Sequence, residues 1–241
     1  MNTKISVCMA AYNGQKYIET QIASILAQLS YGDELIIVND CSSDHTVEVI
    51  TAIKDPRIKI VNNKVNIGVI KSFEKSIAHA SGDIIFLSDQ DDIWMPDKVS
   101  EIISIFNKNQ DTTIIVTDAM LMDGQGAHIE DSFFAATGKF HSGAFKTIIK
   151  NRYLGCTLAF RRKMVEYILP FPKDIPMHDI WIGIVNDIYG EAYYIDKPLV
   201  KYRRHESNVT NLSSNNLIKA IKYRIDLIKS ITYLLNKKYS P

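Results

Sequence analysis

Asp83-Ile84-Ile85-Phe86-Leu87-Ser88-Asp89-Gln90-Asp91-Asp92-Ile93-Trp94 is the stretch whose reading decides the fold. Ile84 to Leu87 is a short apolar run, the pattern of a strand covered on both faces in a parallel sheet. It runs straight into three carboxylates within four residues, Asp89, Asp91 and Asp92. Like charges this close are costly unless a cation or hydrogen-bond donors neutralise them. A hard divalent ion with oxygen ligands, bridging to a phosphate, is the natural partner.

Comparable units flank this one. Ile5 to Met9 reads as a strand stopped by Asn13-Gly14, Glu34 to Val38 as a second, and Ile58 to Val61 as a third. Between them, Tyr17 to Leu29 repeats apolar residues with a helical period, and Asp44 can cap a helix from His45 to Ile53. Val69 to Ala80 reads as a helix closed by Ser81-Gly82. Pro96 opens another, running to about Asn107, and Thr112 to Thr117 is a further strand. This alternation predicts an α/β fold with a mostly parallel central sheet flanked by helices. Such sheets place ligands beyond the carboxyl ends of their strands. Those ends are Ala11-Tyr12-Asn13, Asn39-Asp40 and Ser88 to Asp92, which the topology puts in one crevice. Asp40 there is suited to accept a hydrogen bond from a base imino N–H.

Beyond residue 118 the pattern loosens. Asp123-Gly124 predicts a hairpin turn. Residues 131–143 read as a loop, Cys156 to Phe160 and Ala192 to Ile195 as strands, and Ile180 to Tyr189 as a helix. Ser207 to Asn215 is polar and expected to be mobile, and Asn216 to Tyr239 is a last helix.

Composition excludes several classes. The 241 residues are 46% hydrophobic and 23% charged, with a formal net charge of +1. A disordered chain would carry fewer apolar residues, and a nucleic-acid binder acting through its overall field would be basic. No run approaches the ~18 apolar residues of a membrane span, and Ile5 to Ala11 is too short for a secretory signal. Cys8, Cys41 and Cys156 have no metal-ligand spacing. The near-neutral total hides a split. Residues 1–100 hold 13 acids and 9 bases, a net −4, and residues 101–241 hold 14 acids and 19 bases, a net +5.

Ala11-Tyr12-Asn13-Gly14, Val38 to Asp44, Asn66-Ile67-Gly68 and Ser88 to Trp94 resemble the motif series of family-two glycosyltransferases with the GT-A fold. Gly68 to Glu74, Met177-His178-Asp179 and Tyr202-Arg203-Arg204-His205 with Asn208-Val209 resemble the rhamnosyltransferase-like branch that builds bacterial surface polysaccharides. The resemblance covers roughly residues 3–210. It implies a cytoplasmic enzyme, peripheral on the inner face of the membrane. Its one domain would comprise a nucleotide-sugar half (1–117), an acceptor and catalytic half (118–210) and a C-terminal helix (211–241).

The implied donor is a nucleotide sugar, dTDP-rhamnose first and a UDP-hexose second. Ala11, Tyr12 and Asn13 would line the nucleotide, Asp40 would read the pyrimidine, and Asp89 would contact the ribose. Gln90, Lys71, Arg203 and Arg204 would complete the donor site. Asp91, with His205, would hold Mg2+ or Mn2+ against the diphosphate. Asp179, where family members often carry Glu-Asp and this chain has His178-Asp179, would be the general base. Asp179 can also serve as a plain helix cap. Trp94, Trp181 and His178 are candidates for sugar or acceptor contact, with core packing the competing role for the tryptophans. The implied acceptor is a glycan or a lipid-diphosphate-linked sugar.

Other classes fit less well. A receiver domain needs its acid pair where Ala11-Tyr12-Asn13 stands, and neither a P-loop nor a Gly-rich first loop is present. A nucleotide-sugar-binding protein without activity would not need the full set of carboxylates. From Lys139 to Lys163 there are seven bases and no acid, and the last helix carries six bases and one acid around an apolar stripe. Such a helix can lie on an anionic membrane, pack on a second copy as a homodimer, or pack on its own domain, the reading favoured from sequence.

Overall fold

The computed structural model describes residues 3–205 and 217–237. The expected mobile stretch Ser207 to Asn215 and the Asn208-Val209 motif lie outside them.

The first half forms β1 (Ile5–Ala11), α1 (Ile18–Leu26), β2 (Glu34–Asn39), α2 (Thr46–Ala52), β3 (Ile58–Asn62), α3 (Val69–His79) and β4 (Ile84–Ser88). β1 pairs in parallel with both β2 and β4, and β2 with β3. All six residues of β2 and all five of β4 are buried, as expected for strands covered on both faces. Alternate side chains feed two cores. Val7, Met9, Ile37 and Phe86 meet Ile18, Ile22 and Ile25 of α1 on one face. Cys8, Ile36, Ile85 and Leu87 meet Phe73 and Ile77 of α3 on the other. The register sets Ala11 beside Asn39 and Met9 beside Ser88. The three strand ends therefore share one edge of the sheet.

The second half is less regular than the sequence suggests. It runs through β5 (Ile93–Trp94), α4 (Lys98–Lys108), β6 (Thr112–Asp123), β7 (His128–Glu130), α5 (Phe133–Thr137), α6 (Ala144–Ile149), β8 (Leu158–Arg161), α7 (Val165–Ile168), α8 (His178–Tyr189), β9 (Glu191–Arg204) and α9 (Leu217–Lys237). The sheet order is β3-β2-β1-β4-β8-β6-β9-β5, with β7 beside β6. β8 wedges between β4 and β6 antiparallel to both. β6 and β9 are far longer than the six- and four-residue runs read from sequence, because they pair with each other in parallel through successive bulges. β7 confirms the turn at Asp123-Gly124, where Asp123 Oδ1 accepts from Gln125 N and Ala127 N. The expected loop at 131–143 contains α5, because Asp118 and Ser132 accept from the backbone N–H groups of Phe134 and Ala135. β5 pairs with β9, Ile93 against Lys201, and this brings residues 203–205 alongside the acidic cluster.

Glu34 holds the opposite edge. Its carboxylate accepts from Ser6 Oγ at 2.5 Å, Ser81 N at 2.7 Å, Ser81 Oγ at 2.8 Å and Lys59 Nζ at 2.5 Å, so one buried side chain joins β1, β2, β3 and the turn before β4. Burial alone pushes its pKa up. The hydrogen bonds from Lys59, Ser6 and Ser81 outweigh burial and bring it down to about 2. This stabilisation is present above the ordinary glutamate value and is lost as pH falls toward 2. Glu34→Ala is expected to cost about 2–3 kcal/mol in urea unfolding at neutral pH, since it strands buried donors. An unchanged midpoint would remove Glu34 from this role.

Candidate active site

The loops after β1, β2 and β4 are locked to one another by side chains. Asn13, with φ at +49°, accepts from Ser43 N at 2.9 Å through its side-chain oxygen, while its own N–H donates to Ser42 Oγ at 3.0 Å. The Gln90 amide pairs with the Tyr12 backbone like an extra strand. Tyr12 N donates to Oε1, and Nε2 donates to Tyr12 O, both at 2.9 Å. A Cβ on residue 14 would stand 2.2 Å from Gln90 Oε1, so a side chain there would push the Gln90 amide out of this pairing. Buried Asp40 accepts from Asn63 Nδ2 at 2.9 Å, Ile67 N at 2.8 Å and Gly68 N at 2.8 Å. It thereby shapes the 63–68 loop that opens α3, with Gly68 at φ +85°.

These loops border a cleft of about 1230 Å³. Ala11, Tyr12, Asn13, Asp40, Asp89, Gln90, Asp91, His178, Asp179, Arg204 and His205 all line it. The structure thus gathers eleven of the residues singled out from sequence around one space.

Within the cleft the carboxylates divide into two layers. Asp92 is the inner one, 1% exposed, and its Oδ1 accepts from Arg203 N at 2.9 Å. Burial, then the charges of Asp91 and Asp89, raise its pKa well above the usual range. Buried Lys98 lies behind it and donates to Cys156 O at 2.6 Å. Burial pulls the Lys98 ammonium down to about 8, against the favourable charges around it. Asp89 and Asp91 form the outer layer. Asp89 is pushed up to about 7 by burial and by Asp91 and Asp179. Asp91 Oδ2 sits 2.7 Å from His205 Nε2. The His205 ring stacks on Tyr17 at 5.3 Å, and the Arg203 guanidinium lies 4.6 Å from the same ring. Tyr17 in turn donates to Gly124 O at 3.1 Å.

Two groups offer ligand atoms for a cation. Asp89, Asp92 and Cys156 place theirs within 4.8 Å of one another, but Lys98 already supplies positive charge to that buried set, and a thiol suits softer metals. Asp91 and His205, at the cleft wall beside Asp89, present the harder donors where a diphosphate can reach. A hard divalent cation fits there, since its charge would offset both the burial and the Asp91 charge that raise Asp89.

Across the cleft, Asp179 lies in the first turn of α8. Its Oδ1 accepts from Ile180 N at 2.7 Å, but the helix begins at His178 with Met177 at its N-cap, so Asp179 lies inside the turn and the expected cap is not formed. Burial pushes its pKa up to about 7, partly offset by the Ile180 and Gly155 N–H groups. That value suits a group that takes a proton near neutral pH. His178 is stacked on Phe73 at 3.9 Å, and burial drives its pKa down to about 3, so it is neutral. Neither of its ring nitrogens has a hydrogen-bond partner among the described residues.

Four expectations need correction. Trp94 packs in the first core, 3% exposed, with the Lys98 ammonium 4.4 Å from its ring. Trp181 is 1% exposed and donates to Ile168 O at 2.9 Å. Neither offers a face to a sugar, because both stand on the buried side of their elements. Lys71 is outside the cleft lining and pairs with Glu74 at 2.5 Å, one helical turn along α3. Arg203 also lies behind the lining and donates to Asp91 O at 2.7 Å, so it braces the acidic loop. Sequence reasoning missed Lys98 and Tyr17. Lys98 had a signal: it shares a helical face with Ile102 and Ile105, so a lysine there points toward the core.

Residues 6–169 match Glycosyl transferase family 2, and the chain belongs to that family. It is 28% identical to the UDP-Glc:alpha-D-GlcNAc-diphosphoundecaprenol beta-1,3-glucosyltransferase WfgD of Escherichia coli, over 96% of this chain and 91% of that one. It is also 28% identical to the dTDP-rhamnosyl transferase RfbG of Shigella flexneri, over 93% of this chain and 80% of that one. The mannosyltransferase PcManGT of Pyrobaculum calidifontis, solved with GDP-Man and Mn2+, superposes with a TM-score of 0.64 at 14% identity. That match covers 99% of this chain and 65% of the other. The protein is therefore a glycosyltransferase, and its fold is GT-A.

The raised acids set a pH dependence. Asp89 and Asp179 titrate near 7 in the folded state, against 3.8 ordinarily. Their stabilising effect is present below the ordinary value and is lost as pH rises through 7. Lys98 acts in the opposite sense only above about 8. Between pH 6.5 and 8, Tm should fall by about 2–4 °C or more, the shift that about 1 kcal/mol produces. A Tm that rises or stays flat by differential scanning fluorimetry would contradict this charge arrangement.

Proposed function

We propose that the protein is an inverting glycosyltransferase that moves rhamnose from dTDP-rhamnose to a glycan or lipid-diphosphate-linked acceptor in cell-surface polysaccharide synthesis. It would work as one domain at the cytoplasmic face of the membrane, with Mg2+ or Mn2+. The observation that carries this reading is Asp179, a half-buried carboxylate facing the same cleft as the Asp89–Asp91 pair, its pKa pushed by burial up to about 7. The likeness to RfbG and the branch motifs favour dTDP-rhamnose. The equal identity to WfgD favours a UDP-hexose as the second reading. Uracil and thymine present the same imino edge, so Asp40 serves either.

In the proposed mechanism, Tyr12, about half exposed at the cleft wall, covers the base. Asp40 keeps one lone pair of Oδ2 free beyond those that hold the 63–68 loop, and it accepts the base imino N–H. Asp89 contacts the ribose, and Gln90 acts indirectly by fixing the Tyr12 backbone. Arg204 faces the diphosphate from the far wall. Asp91 and His205 would hold the divalent ion, which would supply stabilisation of charge on the departing diphosphate. Asp179 takes the proton from the acceptor hydroxyl as that oxygen bonds to the sugar C1, and the C1–O bond to the diphosphate breaks on the opposite side. His178 stays neutral throughout and, 4% exposed and stacked on Phe73, backs the cleft wall beside Asp179.

Asp179→Asn is expected to lower transfer by roughly 10²–10⁴-fold while leaving donor binding intact. Asp91→Ala should abolish the Mn2+-dependent thermal shift given by the donor. A panel of nucleotide sugars scored by Mn2+-dependent thermal shift decides between dTDP-rhamnose and UDP-hexoses. Full turnover in Asp179→Asn would remove it as the base.

A further inference from the structure

The apolar residues of α9 divide between two faces rather than forming the single stripe read from sequence. Leu227 and Leu234 are buried, with Tyr223, Ser230 and Ile231 on the same side. That side packs on Ile180 and Ile184 of α8, so the expectation that the helix packs on its own fold holds for this face alone. Ile221, Ile225, Ile228 and Leu235 are each between 43% and 51% exposed. With exposed Thr232 they span an arc of roughly 80° at about 100° per residue. Exposed Lys222 and Lys229 border this arc on one side and Arg224 on the other. Arg224 donates to Ile149 O at 3.2 Å, tying in α6, which leaves Phe145 75% and Ile149 56% exposed.

We propose that the outer face of α9, with the adjoining end of α6, docks on an anionic lipid bilayer. Four large aliphatic side chains held toward water along one helix face, with bases on both borders, match a helix lying in the headgroup boundary. Charge complementarity selects lipid over a second copy of the chain. Lys222 and Lys229 border the stripe, Lys146 and Lys150 are exposed on and just after α6, and no acid lies from Lys139 to Lys163. Self-association through this face would crowd these bases together, whereas anionic headgroups neutralise them. Asp226, the acid of α9, lies about 140° round from Ile221, off the stripe.

The placement has a consequence for transfer. The inner face of α9 rests on α8, and the first turn of α8 carries Asp179. Docking would hold the acceptor side of the cleft one helix layer from the bilayer, within reach of a lipid-borne acceptor. This consequence rests on the lipid-linked acceptor proposed above. Vesicle binding is measured without any transfer, so either reading can fail alone.

The test is flotation of the full chain with vesicles of phosphatidylcholine alone and of phosphatidylcholine mixed with phosphatidylglycerol. The protein should float with the mixed vesicles only, and less so at high salt. Ile225→Glu/Ile228→Glu and Lys222→Glu/Lys229→Glu should each weaken binding about tenfold or more, with Tm unchanged because these side chains are exposed. Absence of flotation with anionic vesicles, or flotation that both variants retain, would overturn the proposal. So would a dimer by sedimentation equilibrium that Ile225→Glu/Ile228→Glu dissolves.

Discussion

Repulsion among three carboxylates at the end of one buried strand is the constraint around which the rest of the molecule is arranged. Burial that raises the Asp92 pKa, a buried amine at Lys98 and the Arg203 N–H absorb the inner part of that charge. Asp89 and Asp91 are left toward the cleft, where His205 approaches one of them. The long pairing of β9 with β6, and of β5 with β9, exists at this point to deliver residues 203–205 to the acids. Without that delivery the acidic loop would be a surface turn. With it, the loop becomes one wall of a site.

The same economy appears in the neighbouring loops. Polar side chains that look like ligand contacts in the sequence spend much of their hydrogen-bonding capacity on backbone. Gln90 holds Tyr12, Asn13 holds Ser43, and Asp40 holds Ile67 and Gly68. Pre-set loops lose less freedom when a ligand binds. Asp179 is likewise oriented by the first turn of α8, where the Ile180 N–H holds one of its oxygens.

The parallel half of the fold was legible because its strands are short, apolar on both faces and separated by helices of clear period. Its strand ends named most of the cleft. The rest was hidden for identifiable reasons. The antiparallel insertion of β8 is a non-local pairing that four residues, Leu158 to Arg161, do not announce. Trp94 and Trp181 stand beside functional residues in the chain, yet alternation and helical rotation turn them into the cores. Lys71 and Arg203 looked available for phosphate, but Glu74 and the Asp91 carbonyl claim them. On α9, the spacing showed that the helix was apolar and basic, but not which of its two apolar faces α8 would cover. The opposed charges of the two halves now have locations: the acids concentrate at the cleft, and a basic, apolar face lies behind α8.

On the proposed reading the acidic loop is layered, with Asp91 at the cation position and Asp92 an inner support held by the Arg203 N–H. Crystals grown with Mn2+ and a nucleoside diphosphate, measured at an energy where manganese scatters anomalously, test it directly. One strong peak is expected in contact with the Asp91 carboxylate and the diphosphate oxygens. A peak seated among Asp89, Asp92 and Cys156, with Lys98 displaced, would contradict it.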